Sequence, residues 1–281
     1  MSGLGSSIRA RAASLPLNTW TLQRFGLTPS RLAHRLTDRD APRVLSISLP
    51  KAGTHLLERA VCLHPRLHRK MLATVWPEAL ERWHGLSGLL DTLAPGQVVV
   101  AHLPFEPGYP AALEAGEVRA LFLTRDPRDI VLSQAHYAVQ KPDHPFHQAF
   151  ADQTDLRGRV LVAIDGDPAT GLPSIGDRLE RYEGWLHGPA EAVRFEDLIG
   201  PNGGGDAARQ RDVVERIYRH LGLGVDAALV DRVCGDLFSD ASPTFRKGAI
   251  GGWRERFDDE LTERFSVRVS DTRLRAYGYE P

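Results

Sequence analysis

The chain has almost no cysteine, no long apolar run and no excess of either charge. Cysteine occurs only at Cys62 and Cys234, both beside apolar residues. Two cysteines exclude the disulfide framework of a small secreted domain and any four-thiolate metal knuckle; both are expected as buried, reduced thiols. The net charge is −1 over 281 residues, so no global field draws the chain to nucleic acid or to a membrane surface, and any anion site has to be local. No apolar stretch approaches the ~18 residues of a membrane span. The amino-terminal stretch lacks acid altogether: Arg9, Arg11, Arg24, Arg31 and Arg35 precede the first carboxylate, Asp38, among several Ser and Ala. That composition describes an organelle transit peptide, and also a short basic extension in which Trp20, Leu22 and Phe25 find packing partners. We read residues 1–40 as an extension and 41–281 as one folded domain, soluble and cytoplasmic. The sequence says nothing of its oligomeric state.

What is present supports a sizeable core. Apolar residues make up 42% of the chain, ordinary for an α/β enzyme of this length built as one domain. Short continuous apolar runs, Val44–Ser48, Gln97–Ala101 and Val118–Thr124, read as buried parallel strands. Glu191–Phe195 adds a shorter one. Helical spacing follows at Leu56–Leu63, Asp129–Val139, around Leu156–Ile164, at Ile175–Leu186, Ala207–Leu221 and Val225–Leu237. Strands alternating with helices predict an α/β fold in three layers, a central, mainly parallel sheet flanked by helices.

The chain is organised around Arg43–Leu57, RVLSISLPKAGTHLL. A strand, a tight loop with glycine and a helix start make a phosphate cradle: loop amides and the helix N-terminus point at an anion, and Lys51 adds a full charge. The same layout also describes an ordinary strand-to-helix turn. It is not the Walker pattern, which needs glycine six residues before the lysine, where this chain has Leu45. Other residues invite roles by position. His102 directly follows a buried-type strand, at the edge where doubly wound sheets bind ligands. Arg125 stands at another strand end and can grip phosphate oxygens bidentately. Arg128 is expected to bridge to Asp126 or Asp129. His144 and His147, in the KPDHPFH segment, have metal-like spacing but no clear Cys or carboxylate partners. That segment is better read as a loop over an acceptor pocket. Trp76 and Trp83 either wall such a pocket or pack.

Three separated stretches resemble one family. PKAGTH resembles the 5′-phosphosulfate loop of sulfotransferases that use 3′-phosphoadenosine-5′-phosphosulfate (PAPS). VRALFLTRDPRDIVLSQ is similar to their 3′-phosphate strand-loop-helix, and FRKGAIGGW to their carboxy-terminal R-K-G-x-x-G loop. AHLP resembles the T-H-L-P that carries their catalytic histidine, and VRFEDL a segment near the adenine site. The resemblance covers roughly residues 43–257 and implies a P-loop-like phosphosulfate loop in a PAPS-dependent transferase that releases 3′,5′-bisphosphoadenosine (PAP).

The implied roles fall on particular residues. Lys51 stabilises the leaving phosphate, Gly53 and Thr54 donate to the 5′-phosphate with Ala52 beside them on the cofactor loop, and His55 touches the cofactor or the acceptor or caps the helix. His102 is the general base. Arg125, Ser133, Arg246, Lys247 and Gly248 hold the 3′-phosphate, and Phe195 stands where the family often has Tyr. The acceptor is a hydroxyl on a small organic molecule, with neither nucleic acid nor membrane as partner. No metal is required, because a transferred sulfuryl group carries one charge fewer than a terminal phosphate. The departures are His55-Leu56 where Thr-Trp is common, and Gly252 where Asp is frequent. Two rival readings stand beside this one: a P-loop nucleotide kinase, and a non-catalytic PAPS- or PAP-binding module.

Overall fold

The computed structural model describes residues 19–238 and 250–281. Five strands, β1 (Arg43–Ser48), β2 (His68–Arg69), β3 (Gln97–Ala101), β4 (Val118–Thr124) and β5 (Ala190–Arg194), form one sheet in the order β2-β3-β1-β4-β5. Every pairing is parallel. The helices are α1 (Thr19–Arg24), α2 (Pro29–Thr37), α3 (Thr54–Cys62), α4 (Leu86–Asp91), α5 (Tyr109–Ala115), α6 (Pro127–Val139) and α7 (His147–Ala151). They continue with α8 (Leu156–Asp165), α9 (Ile175–His187), α10 (Phe195–Leu198), α11 (Ala207–His220), α12 (Ala227–Leu237), α13 (Asp259–Arg268) and α14 (Asp271–Ala276). Among the described residues, no helix is long and apolar enough to cross a membrane.

The three layers follow from strand alternation. Leu45, Ile47, Val99, Ala101, Ala120 and Phe122 point to one face, where α4, α6, α8, α9 and α13 supply Leu89, Ile130, Ile164, Leu179 and Phe265. Val44, Val98, Leu121, Leu123 and Val193 point to the other, against Leu57 and Val61 of α3, Ile217 and Tyr218 of α11 and Val230 of α12. Strands covered on both faces have no polar side to alternate, which is why they read as continuous apolar runs.

Central β1 pairs with β3 on one side and β4 on the other. From β1 the chain runs to the edge strand β2, returns to β3 beside β1, and then crosses to the other side with β4. The carboxyl ends of β1, β3 and β4 therefore meet at the point where the winding reverses, and ligands of doubly wound sheets bind at such a point. Loops 49–53, 102–105 and 125–126 all leave from there.

Element boundaries differ from the sequence reading where local chemistry decides them. α6 starts at Pro127, whose fixed φ suits a first helical position, and the Asp126 carboxylate caps it by accepting the Arg128 N–H at 2.9 Å. α3 begins at Thr54 rather than Leu56. Phe195 does not end β5 but opens the one-turn helix α10. Two-residue β2 carries too little pattern to be read from sequence. Cys62 is buried as expected, whereas Cys234 is only half-buried; both are free thiols.

The described part of the basic segment makes specific contacts through Arg31 and Arg24. The buried Arg31 guanidinium donates to the carbonyls of Cys62 at 2.7 Å, Leu63 at 2.6 Å, His64 at 3.1 Å and Leu67 at 2.9 Å. It thus satisfies the orphan carbonyls at the C-terminus of α3, where a cation also meets the negative end of the helix dipole. Arg24 pairs with the buried Glu58 on the same helix. Residues 19–37 thereby clamp the helix whose other end begins at the PKAGT loop.

Candidate active site

The loop after β1 is held in an unusual backbone shape. The Ala52 N–H donates to the Leu49 carbonyl at 3.1 Å, closing a tight turn. Lys51 has φ +72° and Gly53 φ +106°. Gly53 needs to be glycine twice over, since a Cβ there would lie 2.5 Å from Phe195 Cδ2. Lys51 has a Cβ and takes the left-handed conformation regardless, a cost that persists where the surroundings impose it. No side chain caps α3; the Leu56 N–H closes back on the Gly53 carbonyl at 2.8 Å, which among the described residues leaves the Thr54 and His55 N–H groups for a partner outside the helix. Thr54 turns inward, its hydroxyl 2.8 Å from that of Ser48.

His102 is buried at the end of β3, one step past the Ile47–Ala101 pair. Its Nδ1 lies 2.8 Å from the Ser48 carbonyl. An interaction with a carbonyl requires the proton on Nδ1, which leaves Nε2 with its lone pair. Burial pulls the imidazole from 6.5 to about 4; the Ser48 bond opposes this, and His55 and Lys51 add to it. His102 is therefore neutral at pH 7, a free base with a fixed tautomer. Behind it, the Trp185 indole N–H donates to the Leu103 carbonyl at 2.9 Å and fixes the outgoing loop. The Trp76 ring sits 4.6 Å from the imidazole centroid while remaining 46% exposed; Trp83 instead packs against the core.

Arg125 leaves the end of β4 on the other side of β1. Its guanidinium lies 4.4 Å above the Phe195 ring and 3.4 Å from the Lys51 carbonyl, tying the two loops together. Phe195 arrives there because Thr124 pairs with Arg194 in the β4–β5 register. Asp129 lies 3.9 Å from Arg125 and accepts the N–H groups of Gly251 at 2.8 Å and Trp253 at 3.0 Å. That contact anchors the end of the FRKGAIGGW segment one turn from Arg125. Arg246, Lys247 and Gly248 lie outside the described residues. Arg128 is spent on Asp126, with both pairs at 2.9 Å.

Asp129, Ser133 and Tyr137 recur every four residues on α6 and so share one stripe. Asp129 faces Arg125 and Gly251, and Tyr137 receives the Lys51 ammonium 3.4 Å from its ring centroid. Ser133, half-buried between them, is carried to the same edge. Burial, then Arg125 and Lys141, pull Lys51 down to about 8. His55, on the first turn of α3, turns its Nδ1 to within 3.5 Å of Glu58. Burial works against the charge of Glu58, and its bonds to His55, Arg69 and Arg24 outweigh it, so the carboxyl stays below its usual range. His144 and His147 each have a ring nitrogen engaged locally, by the Phe146 N–H and the Ala138 carbonyl.

The residues expected at the site thus fall together where the structure describes them: Lys51 to His55, His102, Arg125, Ser133 and Phe195 line one edge of the sheet. Sequence reasoning missed Ser48, Asp129 and Tyr137. The helical spacing from Ser133 could have found the last two; Ser48 gave no signal beyond its place at a strand end. A cleft of about 240 Å³ bordered by Arg194, Asp197, Arg209 and Arg216 contains none of these residues. Its arginines are paired with Asp197 and Glu191. The edge that remains offers two cations, an open helix N-terminus and a neutral base. It can bind a multiply charged anion and accept one proton.

No protein-family model matches the chain. Sulfotransferase 4A1 of Homo sapiens is 22% identical over 251 residues, covering 79% of this chain and 76% of that protein. The Mus musculus sulfotransferase 4A1 has the same identity and coverage. Among solved structures, mouse sulfotransferase SULT7A1 complexed with PAP superposes with a TM-score of 0.60 at 18% identity, covering 88% of this chain and 89% of that one. Retinol dehydratase in complex with androsterone and inactive cofactor PAP gives 0.56 at 17% identity, covering 88% and 85%. At these identities the likeness to the solved structures is one of fold.

Proposed function

We propose that this chain, a PAPS-dependent sulfotransferase by its fold and its sequence relatives, transfers a sulfuryl group from PAPS to the hydroxyl of a small organic acceptor. One observation carries the reading. The neutral His102, the Lys51 loop and Arg125 stand at the ends of three adjacent strands, joined by Ser48 and by the Arg125 contact to the Lys51 carbonyl. The donor set fits a bisphosphorylated nucleotide: two cations, the Thr54 and His55 amides of α3 and the Ser133 hydroxyl on α6.

When bound, PAPS supplies the activated sulfuryl group. His102 takes the acceptor proton at Nε2 as the acceptor oxygen bonds to sulfur. Lys51 stabilises the charge left on the phosphate oxygen as the bond from sulfur to that oxygen breaks. Thr54, His55 and the amide of Gly53 orient the 5′-phosphate, with Ala52 holding the turn that presents them. Arg125 and Ser133 hold the 3′-phosphate, joined by Arg246, Lys247 and Gly248, and Phe195 supports Arg125 from below. Trp76, exposed over His102, offers the acceptor an aromatic wall. Lysine and amides meet the charge of a sulfuryl group without a metal, so turnover is expected to persist in chelator. The enzyme works in the cytoplasm, with 41–281 as its catalytic domain.

The test is a hydroxyl library incubated with PAPS in chelator, read by mass spectrometry, beside calorimetry of PAP and 5′-AMP. Sulfated product is expected, and PAP should bind at least about tenfold tighter than 5′-AMP, about 1.4 kcal/mol. Turnover of ATP instead would establish the kinase. PAP binding without any turnover would leave a binding module, and equal affinities would remove the 3′-phosphate assignment.

A further inference from the structure

The Lys51 ammonium meets an aromatic face, and the charged groups around it are repulsive. Arg125 at the end of β4 and Lys141 beyond α6 both disfavour its charge. His144 from the 141–146 segment and His102 from the end of β3 also face it closely enough to interact. Against these stands the ring of Tyr137, 3.4 Å from Nζ to centroid, well inside the ~6 Å reach of a cation–π contact. Tyr137 is itself braced, its ring packed edge-on against His144 at 5.8 Å. The left-handed backbone of Lys51 belongs to the same arrangement, a strained conformation kept where the side chain has a task.

We infer that Tyr137 is a positioning residue for Lys51, its ring face holding the ammonium charged and in place until the anionic co-substrate arrives. The inference rests on the sulfotransferase reading for its purpose, though not for its geometry. A ring face suits the task better than a carboxylate would. A carboxylate would also keep the lysine charged, but it would repel the incoming phosphosulfate and compete with it for Nζ. The quadrupole of a ring attracts the cation without neutralising it, so the arriving anion displaces a contact rather than an ion pair. The phenol hydroxyl plays no part, because the contact is with the face.

The experiment uses the full chain with Tyr137→Phe and Tyr137→Leu. In the free protein, the rate at which an amine-reactive acylating reagent labels Lys51 is followed against pH by mass spectrometry. The wild type should reach half-maximal labelling near pH 8. Tyr137→Phe should keep that half-point, while Tyr137→Leu should lower it by about half a unit to one and a half units. The falling limb of kcat/KM for PAPS should move by the same amount, and kcat measured below the limb should change less than kcat/KM measured above it. An unmoved half-point in Tyr137→Leu overturns the inference. So does Tyr137→Phe shifting as far as Tyr137→Leu, which would assign the role to the hydroxyl. If Tyr137→Leu does not give the wild-type circular dichroism spectrum, Tyr137→Met replaces it. If PAPS is turned over by no variant and not by the wild type, the sulfotransferase reading fails, and the labelling still decides the Tyr137 contact.

Discussion

Replacing His102 by alanine isolates the base, and its consequences follow from one backbone contact and from burial. The imidazole has Nδ1–H committed to the Ser48 carbonyl at 2.8 Å and stands at about 4 because burial disfavours its charge. At pH 7, roughly one molecule in a thousand carries a protonated His102, so essentially the whole population is competent. General-base catalysis contributes about 10²–10⁴-fold, and kcat in His102→Ala should fall by that factor. The cations that hold PAP belong to other loops, so PAP affinity by calorimetry should stay within a few-fold. The Ser48 carbonyl loses its donor, which should destabilise the fold by about 1–3 kcal/mol; thermal melts separate that from the catalytic loss. The pH profile carries the sharper test. His102 must be neutral, so kcat/KM rises through pH about 4, and Lys51 must be charged, so it falls through about 8. In His102→Ala the acid limb should vanish while the alkaline limb remains. A wild-type acid limb near 6.5 would mean the imidazole is not desolvated as its burial implies. His55→Ala abolishing turnover while His102→Ala does not would move the base to the other histidine.

Two further outcomes follow from the same geometry. Gly53→Ala forces a Cβ to 2.5 Å from Phe195 Cδ2 at φ +106°; left-handed strain and overpacking together should cost roughly 2–4 kcal/mol in denaturant melts. PAP binding should weaken as well, because Phe195 carries Arg125, and a wild-type melting curve would show that the turn is not constrained as described. Stability should also fall steeply in acid, because burial depresses His64, His68 and His102 to about 4. Between pH 6.5 and 4 the unfolded chain binds more protons than the folded one, so stability is lost as pH falls through that window and is unaffected above it. His64 and His102 alone are each worth on the order of 3 kcal/mol there, against the roughly 5–15 kcal/mol of a typical domain. Urea midpoints that stay flat from pH 6.5 to 4.5 would refute it.

The sequence by itself determined what local pattern can carry. The strands around Leu45, Val99 and Leu121 are continuous apolar runs because both faces are covered, and that alone announced a layered parallel sheet. The loop of Lys51 and Gly53 and the strand-end positions of His102 and Arg125 were legible because each is set by a few adjacent residues: a tight turn, a helix start, a charge after an apolar run. Motif resemblance added the order of those segments and the roles proposed for them. Only the tertiary structure decided the order β2-β3-β1-β4-β5, which brings the three strand ends to one point. The same non-local register sets Thr124 beside Arg194 and so puts Phe195 beneath Arg125. Nothing in the string marks Arg31 as the cap of a helix that ends 31 residues later, because its carbonyl partners become a cluster only when α3 ends beside α2. The ionisation of the site was invisible for the same reason. The neutrality of His102 comes from burial and from a carbonyl 54 residues away. The contact of Lys51 with Tyr137 is made across two separate strand-loop-helix units. Periodicity records which face a residue takes, whereas desolvation and charge proximity depend on which elements pack together, and folding alone sets that.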